Sequence, residues 1–178
     1  MDAGMKIPIA ATLGRETADV ETSSEGYARR FAGEVGEHFL AVQARVTLDL
    51  LAPWPGGTVL DVGGGHGQLA APLAAAGYRV TVAGSSEACR ERLDRLLPPG
   101  AFDFRAADLL ALPFPDLAFD VVLAFRLLPH AERWRELLGE MCRLARRAVR
   151  RWAGKWFLPP ARPPRNCLSA PGSCHRCC

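Results

Sequence analysis

The chain has 178 residues, 49% of them apolar and 23% charged, with a formal net charge of +3. That is the profile of one ordinary globular domain. Its basic residues are not interleaved with aromatic ones in a repeating pattern, so no nucleic-acid partner is expected. No stretch reaches the roughly 18–20 apolar residues of a membrane span, and the start lacks a signal-peptide core, so a cytoplasmic protein is expected.

Residues 1–24 are polar and without periodicity, which predicts a flexible N-terminus. A first helix comes next, with Phe31, Val35, Phe39, Val42, Val46 and Leu50 as its apolar stripe. Pro53 and Pro55 end it. Thr58–Val62 predicts a buried strand, and Leu69–Ala76 a helix closed by Gly77. Arg79–Ala83 predicts a second strand, and Ser86 caps a helix running to about Leu97. Phe102–Arg105 and Phe119–Phe125 predict two more strands. Glu132 to about Ala148 reads as one amphipathic helix, with Trp134, Leu137, Leu138, Met141, Leu144 and Ala145 on its stripe. Cys89 and Cys142 fall on predicted helices and read as buried thiols. Strands alternating with helices at this spacing predict an α/β fold, a mostly parallel sheet with helices on its flanks.

Ligands of such sheets lie beyond the carboxyl ends of the strands, so the residues after each strand are the candidates. Behind the first strand comes Asp61-x-Gly63-Gly64-Gly65-His66-Gly67. Glycines there let a ligand lie against main-chain atoms that a Cβ would push away. Gly65-x-Gly67-x-x-Ala70 also fits the dinucleotide fingerprint. An NAD(P)-binding oxidoreductase fragment is therefore the alternative enzyme, and a non-catalytic cofactor-binding or interaction remnant the non-enzyme reading. Asp61 sits where it would repel a phosphate, and the second strand does not end on an acidic residue. Both features count against the dinucleotide.

The string VLDVGGGHGQLA resembles the first motif of class I S-adenosylmethionine-dependent methyltransferases. The segment from Ala107-Asp108-Leu109 through LLALPFPDLAFDVV resembles that family's downstream pattern. The resemblance implies a Rossmann-like methyltransferase fold, S-adenosyl-L-methionine as cofactor and a small-molecule acceptor. It further implies that Asp61, Gly63, Gly64, Gly65 and Gly67 hold the cofactor's methionine part, with His66 packed beside it. Asp108 would read the adenine amino group and Leu109 would offer its backbone to the ring. Ala124 and Phe125 would face the sulfonium, and Tyr27 or Arg30 would meet the methionine carboxylate. His130 is the candidate catalytic base. One departure stands out: Gly84-Ser85-Ser86 occupies the place where the family carries the carboxylate that binds the ribose. Ser85 or Ser86 can supply only a neutral hydroxyl there.

The domain is expected over residues 25–149, succeeded by an irregular tail, 150–178. That tail holds five prolines, five arginines, two tryptophans and four cysteines. Such a composition is what a GC-rich frame yields out of register, so the hypothesis here is a frameshift or premature end that removes the last strands. Resequencing the coding DNA tests it, and an intact frame shared by close relatives refutes it. The rival reading, zinc held by Cys167, Cys174, His175, Cys177 and Cys178, suffers from poor ligand spacing, and no metal is expected. A sheet lacking its last strands would leave an exposed edge, with self-association and impaired activity as the expected consequences.

Overall fold

The computed structural model describes residues 15–152. The tail beyond them, with the frameshift and zinc readings, lies outside the described residues, as do residues 1–14. Five strands form one sheet: β1 (Thr58–Val62), β2 (Arg79–Gly84), β3 (Asp103–Ala106), β4 (Phe119–Phe125) and β5 (Ala145–Trp152). Their order is β3-β2-β1-β4-β5, and every neighbouring pair is parallel. The helices are α1 (Ala18–Thr22), α2 (Glu25–Ala28), α3 (Glu34–Leu51), α4 (Ala70–Ala75), α5 (Glu91–Leu96) and α6 (Trp134–Leu144). This is the expected Rossmann-like architecture.

Strand alternation divides the core in two. Leu60, Val62, Val122 and Ala124 pack with Leu137, Met141 and Leu144 of α6. Val59, Val80, Val82, Val121 and Leu123 pack with Leu51, Leu73 and Leu93 from α3, α4 and α5. Helices therefore cover both faces, as a parallel sheet requires. Asp120 closes the lower end of the central pair. It accepts hydrogen bonds from the Thr58 backbone N–H at 3.0 Å and the Thr58 hydroxyl at 3.1 Å. Those bonds hold its carboxyl down at about 2 and make its role structural.

Several expectations need correction. The helix expected to reach Ala148 ends at Leu144, where Ala145 turns extended with φ −85° and ψ 121°. Residues 145–152 become β5, because pairing with β4 satisfies that strand's open edge, a demand helical periodicity does not express. Arg146 and Arg147 then both reach Asp120, at 3.2 and 3.1 Å. A fifth strand thus forms, running three residues into the expected irregular tail. The stripe assigned to the first helix is not its buried face either. Val35 is 86% exposed, while Gln43, Thr47 and Leu51 are buried. The polar pair is tolerated inside because Gln43 bonds Gln68 at 3.2 Å and the Thr47 hydroxyl donates to the Gln43 carbonyl at 2.8 Å. The expected Ser86–Leu97 helix is a 3-10 turn, Glu87–Arg90, and then α5, with Ser86 capping as expected.

The flexible N-terminus expected over residues 1–24 is folded from residue 15 onward, with Asp19 completely buried. Asp19 accepts from the Ser85 backbone N–H at 2.7 Å and from the Cys89 thiol at 3.2 Å. Glu16 accepts from the Arg133 N–H at 3.1 Å. These contacts span more than sixty residues of sequence, which is why no local pattern announces them.

Candidate functional site

In the order β3-β2-β1-β4-β5 the chain reverses direction across the sheet between β1 and β4, the switch point where open α/β sheets bind ligands. A small cavity lies there. Its walls bring together Asp61, Gly63, Gly64 and His66 from the tip of β1 and Phe125 and Arg126 from the tip of β4. Thr22 and Tyr27 come from the N-terminal helices.

The loop after β1 is shaped by its glycines. Gly63 takes the left-handed region, φ 71°, and a Cβ on it would meet Leu127 at 2.8 Å. A Cβ on Gly64 would fall on the Asp61 carboxylate itself. Asp61 thus lies against bare backbone, 2% exposed, and its Oδ1 has no hydrogen-bond partner among the described residues. Burial drives its carboxyl up to about 7, against the opposing pull of Arg126. His66 is buried between the rings of Tyr27 and Phe31, both edge-on at 5.9 Å, with neither ring nitrogen bonded among the described residues. Burial first, and then Arg92 and Arg126, push it down to about 4, so the imidazole is neutral at physiological pH.

Arg126 is absent from the sequence-based candidates, although it is the first residue after β4 and so stands in the position where such sheets meet their ligands. The residue is non-glycine with φ 59°, a sparsely populated conformation that tends to cluster at functional sites. Its guanidinium stands over Phe31 at 4.1 Å and Tyr27 at 5.6 Å. Burial lowers its pKa, with Tyr27 and Asp61 opposing.

The remaining candidates lie around this centre. Tyr27 is buried, capped by Ser24 and overlaid by Arg30 at 4.8 Å. Gly65 is covered by Ser23, and Gly67 is left-handed at φ 77° beside Leu93 and Leu96. Gly84 is hemmed in by Cys89 and Phe104, each 2.9 Å from where its Cβ would stand. No carboxylate fits at that position. Ser85 is buried, and the acid at the end of β2 is Asp19, arriving from the N-terminal segment. The Asp108 carboxylate accepts from the Leu110 N–H at 3.0 Å, and Leu109 has its side chain in the core. Ala124 is wholly buried in the core. His130 is exposed, its ring 6.2 Å from that of Tyr27. Of these, Tyr27 lines the cavity, whereas Gly65, Gly67, Gly84, Ser85, Asp108, Leu109, Ala124 and His130 do not.

A parallel sheet with an acid-plus-glycine loop at its switch point defines a Rossmann-like α/β domain. Residues 60–149 match the methyltransferase domain family model. The chain belongs to that family. It is 32% identical over 111 residues to an O-methyltransferase of Pyrenophora dematioidea, covering 57% of this chain and 41% of the relative. It is 36% identical over 112 residues to the 27-O-demethylrifamycin SV methyltransferase of Amycolatopsis mediterranei, covering 60% and 41%. The chain therefore spans about two-fifths of the length of these curated relatives. Among solved structures, magnesium protoporphyrin IX methyltransferase from Synechocystis PCC 6803, with bound S-adenosylmethionine, superposes with a TM-score of 0.57. Identity is 25%, with 72% of this chain and 73% of that one covered.

Proposed function

We propose that this domain binds S-adenosyl-L-methionine and transfers its methyl group to a small-molecule acceptor. The observation that carries the reading is the buried, unpartnered carboxylate of Asp61, set against bare backbone at the β1/β4 switch point. An acid left unpaired in such a place is costly unless a ligand supplies the missing donor, and the α-ammonium of an amino-acid end is one. The residues present fit that end of the cofactor: Asp61, His66, Tyr27 and the Gly63-Gly64 backbone surround the cavity.

When bound, the cofactor would supply a methyl on a sulfonium, whose sulfur departs as the neutral thioether S-adenosylhomocysteine as the bond to the acceptor forms. The protein's share is to hold the acceptor in line and exclude water. His130 stands outside the cavity wall, exposed, with its ring 6.2 Å from that of Tyr27, and we propose it as proton acceptor for an acceptor that approaches from that side. The adenosyl part has a further requirement. Asp19 and Ser23 rest on Gly63 and Gly65, so α1 moves off the loop when the whole cofactor enters. β5 has β4 on one side and no strand on the other among the described residues. Self-association through that edge is the expected consequence, read by size-exclusion chromatography.

Calorimetry tests the reading. S-adenosylmethionine binds the wild type, Asp61→Ala loses most of that affinity, and NAD(P) does not raise the melting temperature. Stabilisation by NAD(P) alone would instead favour the oxidoreductase.

A further inference from the structure

Arg126 lines the same cavity as Asp61 and carries the unlike charge. The residue is 8% exposed, and its Nη1 is buried with no hydrogen-bond partner among the described residues. No ion pair joins it to Asp61, although each feels the other's charge. Stacking over Phe31 and Tyr27 offsets part of the burial and fixes the guanidinium plane. It leaves the fork of donors without an acceptor.

Two opposite charges that line one cavity without forming an ion pair, each with a buried atom missing a partner, suit a ligand that carries both charges a few bonds apart. An α-amino acid does. We propose that Arg126 is the carboxylate-reading residue of this site, gripping the carboxylate of the cofactor's amino-acid end while Asp61 takes its ammonium. The proposal rests on the S-adenosyl reading of the site. A planar guanidinium accepts a carboxylate through two parallel N–H···O bonds, which fixes orientation as well as charge. The bland alternative makes Arg126 a packing pillar for the Tyr27–Phe31 segment. It predicts no discrimination between ligands with and without a carboxylate.

The test compares S-adenosylhomocysteine with 5′-methylthioadenosine, which keeps purine, ribose and thioether but lacks the amino-acid end. Calorimetry on wild type, Arg126→Gln and Arg126→Lys reads both. Arg126→Gln weakens S-adenosylhomocysteine about 10- to 100-fold and leaves 5′-methylthioadenosine within about twofold; Arg126→Lys, keeping charge without the fork, falls between. Equal weakening of both ligands, or no weakening of either, overturns the proposal. Should Arg126→Gln fail to fold, the Lys variant decides on the same ratio. If the wild type binds neither compound, the S-adenosyl reading itself has failed, an outcome distinct from loss of discrimination.

Discussion

Replacing Asp61 with asparagine should stabilise the ligand-free protein at neutral and alkaline pH while weakening its ligand binding. The Asp61 carboxyl stands at about 7 rather than the ordinary 3.8, because burial disfavours its charged form. Below pH 4 the folded and unfolded chains both hold the proton, and the group costs nothing. Between about 4 and 7 the unfolded chain releases the proton and the folded one keeps it, so wild-type stability falls by about 1.4 kcal/mol per pH unit. Above 7 the loss levels off, at about 4 kcal/mol in all. Asparagine does not titrate. Other groups cancel in the difference between the two proteins, so the advantage of Asp61→Asn should grow by about 2–3 kcal/mol from pH 5 to pH 7. Chemical denaturation at pH 5, 6, 7 and 8, fitted with a shared slope, measures it. Parallel stability curves for the two proteins would refute the reasoning, since Asp61 would then titrate normally and would not be an unpaired buried acid.

The same carboxyl sets the pH dependence of binding. Affinity for S-adenosylhomocysteine should drop about tenfold for each pH unit below 7, because only ionised Asp61 meets an ammonium. His66 stays neutral down to about 4 and adds nothing in that range; a flat profile from pH 5.5 to 8 would count against Asp61 as the ammonium partner. Asp19→Ala removes the acceptor for the Ser85 N–H and loosens α1 over the glycine loop. Hydrogen exchange should speed up at residues 18–23 and S-adenosylhomocysteine should bind more tightly; weaker binding would mean that Asp19 itself contacts the ligand. Leu137→Ala, at a wholly buried site on α6, should cost about 2–5 kcal/mol, against under about 0.5 kcal/mol for Val35→Ala on the exposed side of α3. Comparable losses at the two sites in urea unfolding would contradict the assignment of the buried face of α3.

The sequence by itself determined four of the five strands and marked the loop after the first of them as the candidate site. The runs TVLDV, RVTVA and FDVVLAF are β-branched or aromatic and short, and each became a strand at nearly the expected bounds. The Asp61–Gly67 string needed only its own spacing to mark a candidate ligand loop, because bare backbone after a strand is a local property. Tertiary structure decided what no window of sequence contains. Residues 145–152 are as compatible with a helix as with a strand, and the open edge of β4 chose the strand. Gln43 could be buried, in place of the apolar stripe, only once Gln68 stood opposite, while Thr47 needed just the carbonyl one turn before it. Asp19 acquired a role only when β2 ended in a position too crowded for a side chain and offered the Ser85 N–H to a distant acid. Arg126 became more than a loop arginine when the rings of Tyr27 and Phe31 closed over it and left its donors unmet. Periodicity and motif spacing report covalent neighbours. Burial, pairing and unpaired charge depend on residues scores of positions apart, and they form only when the chain folds.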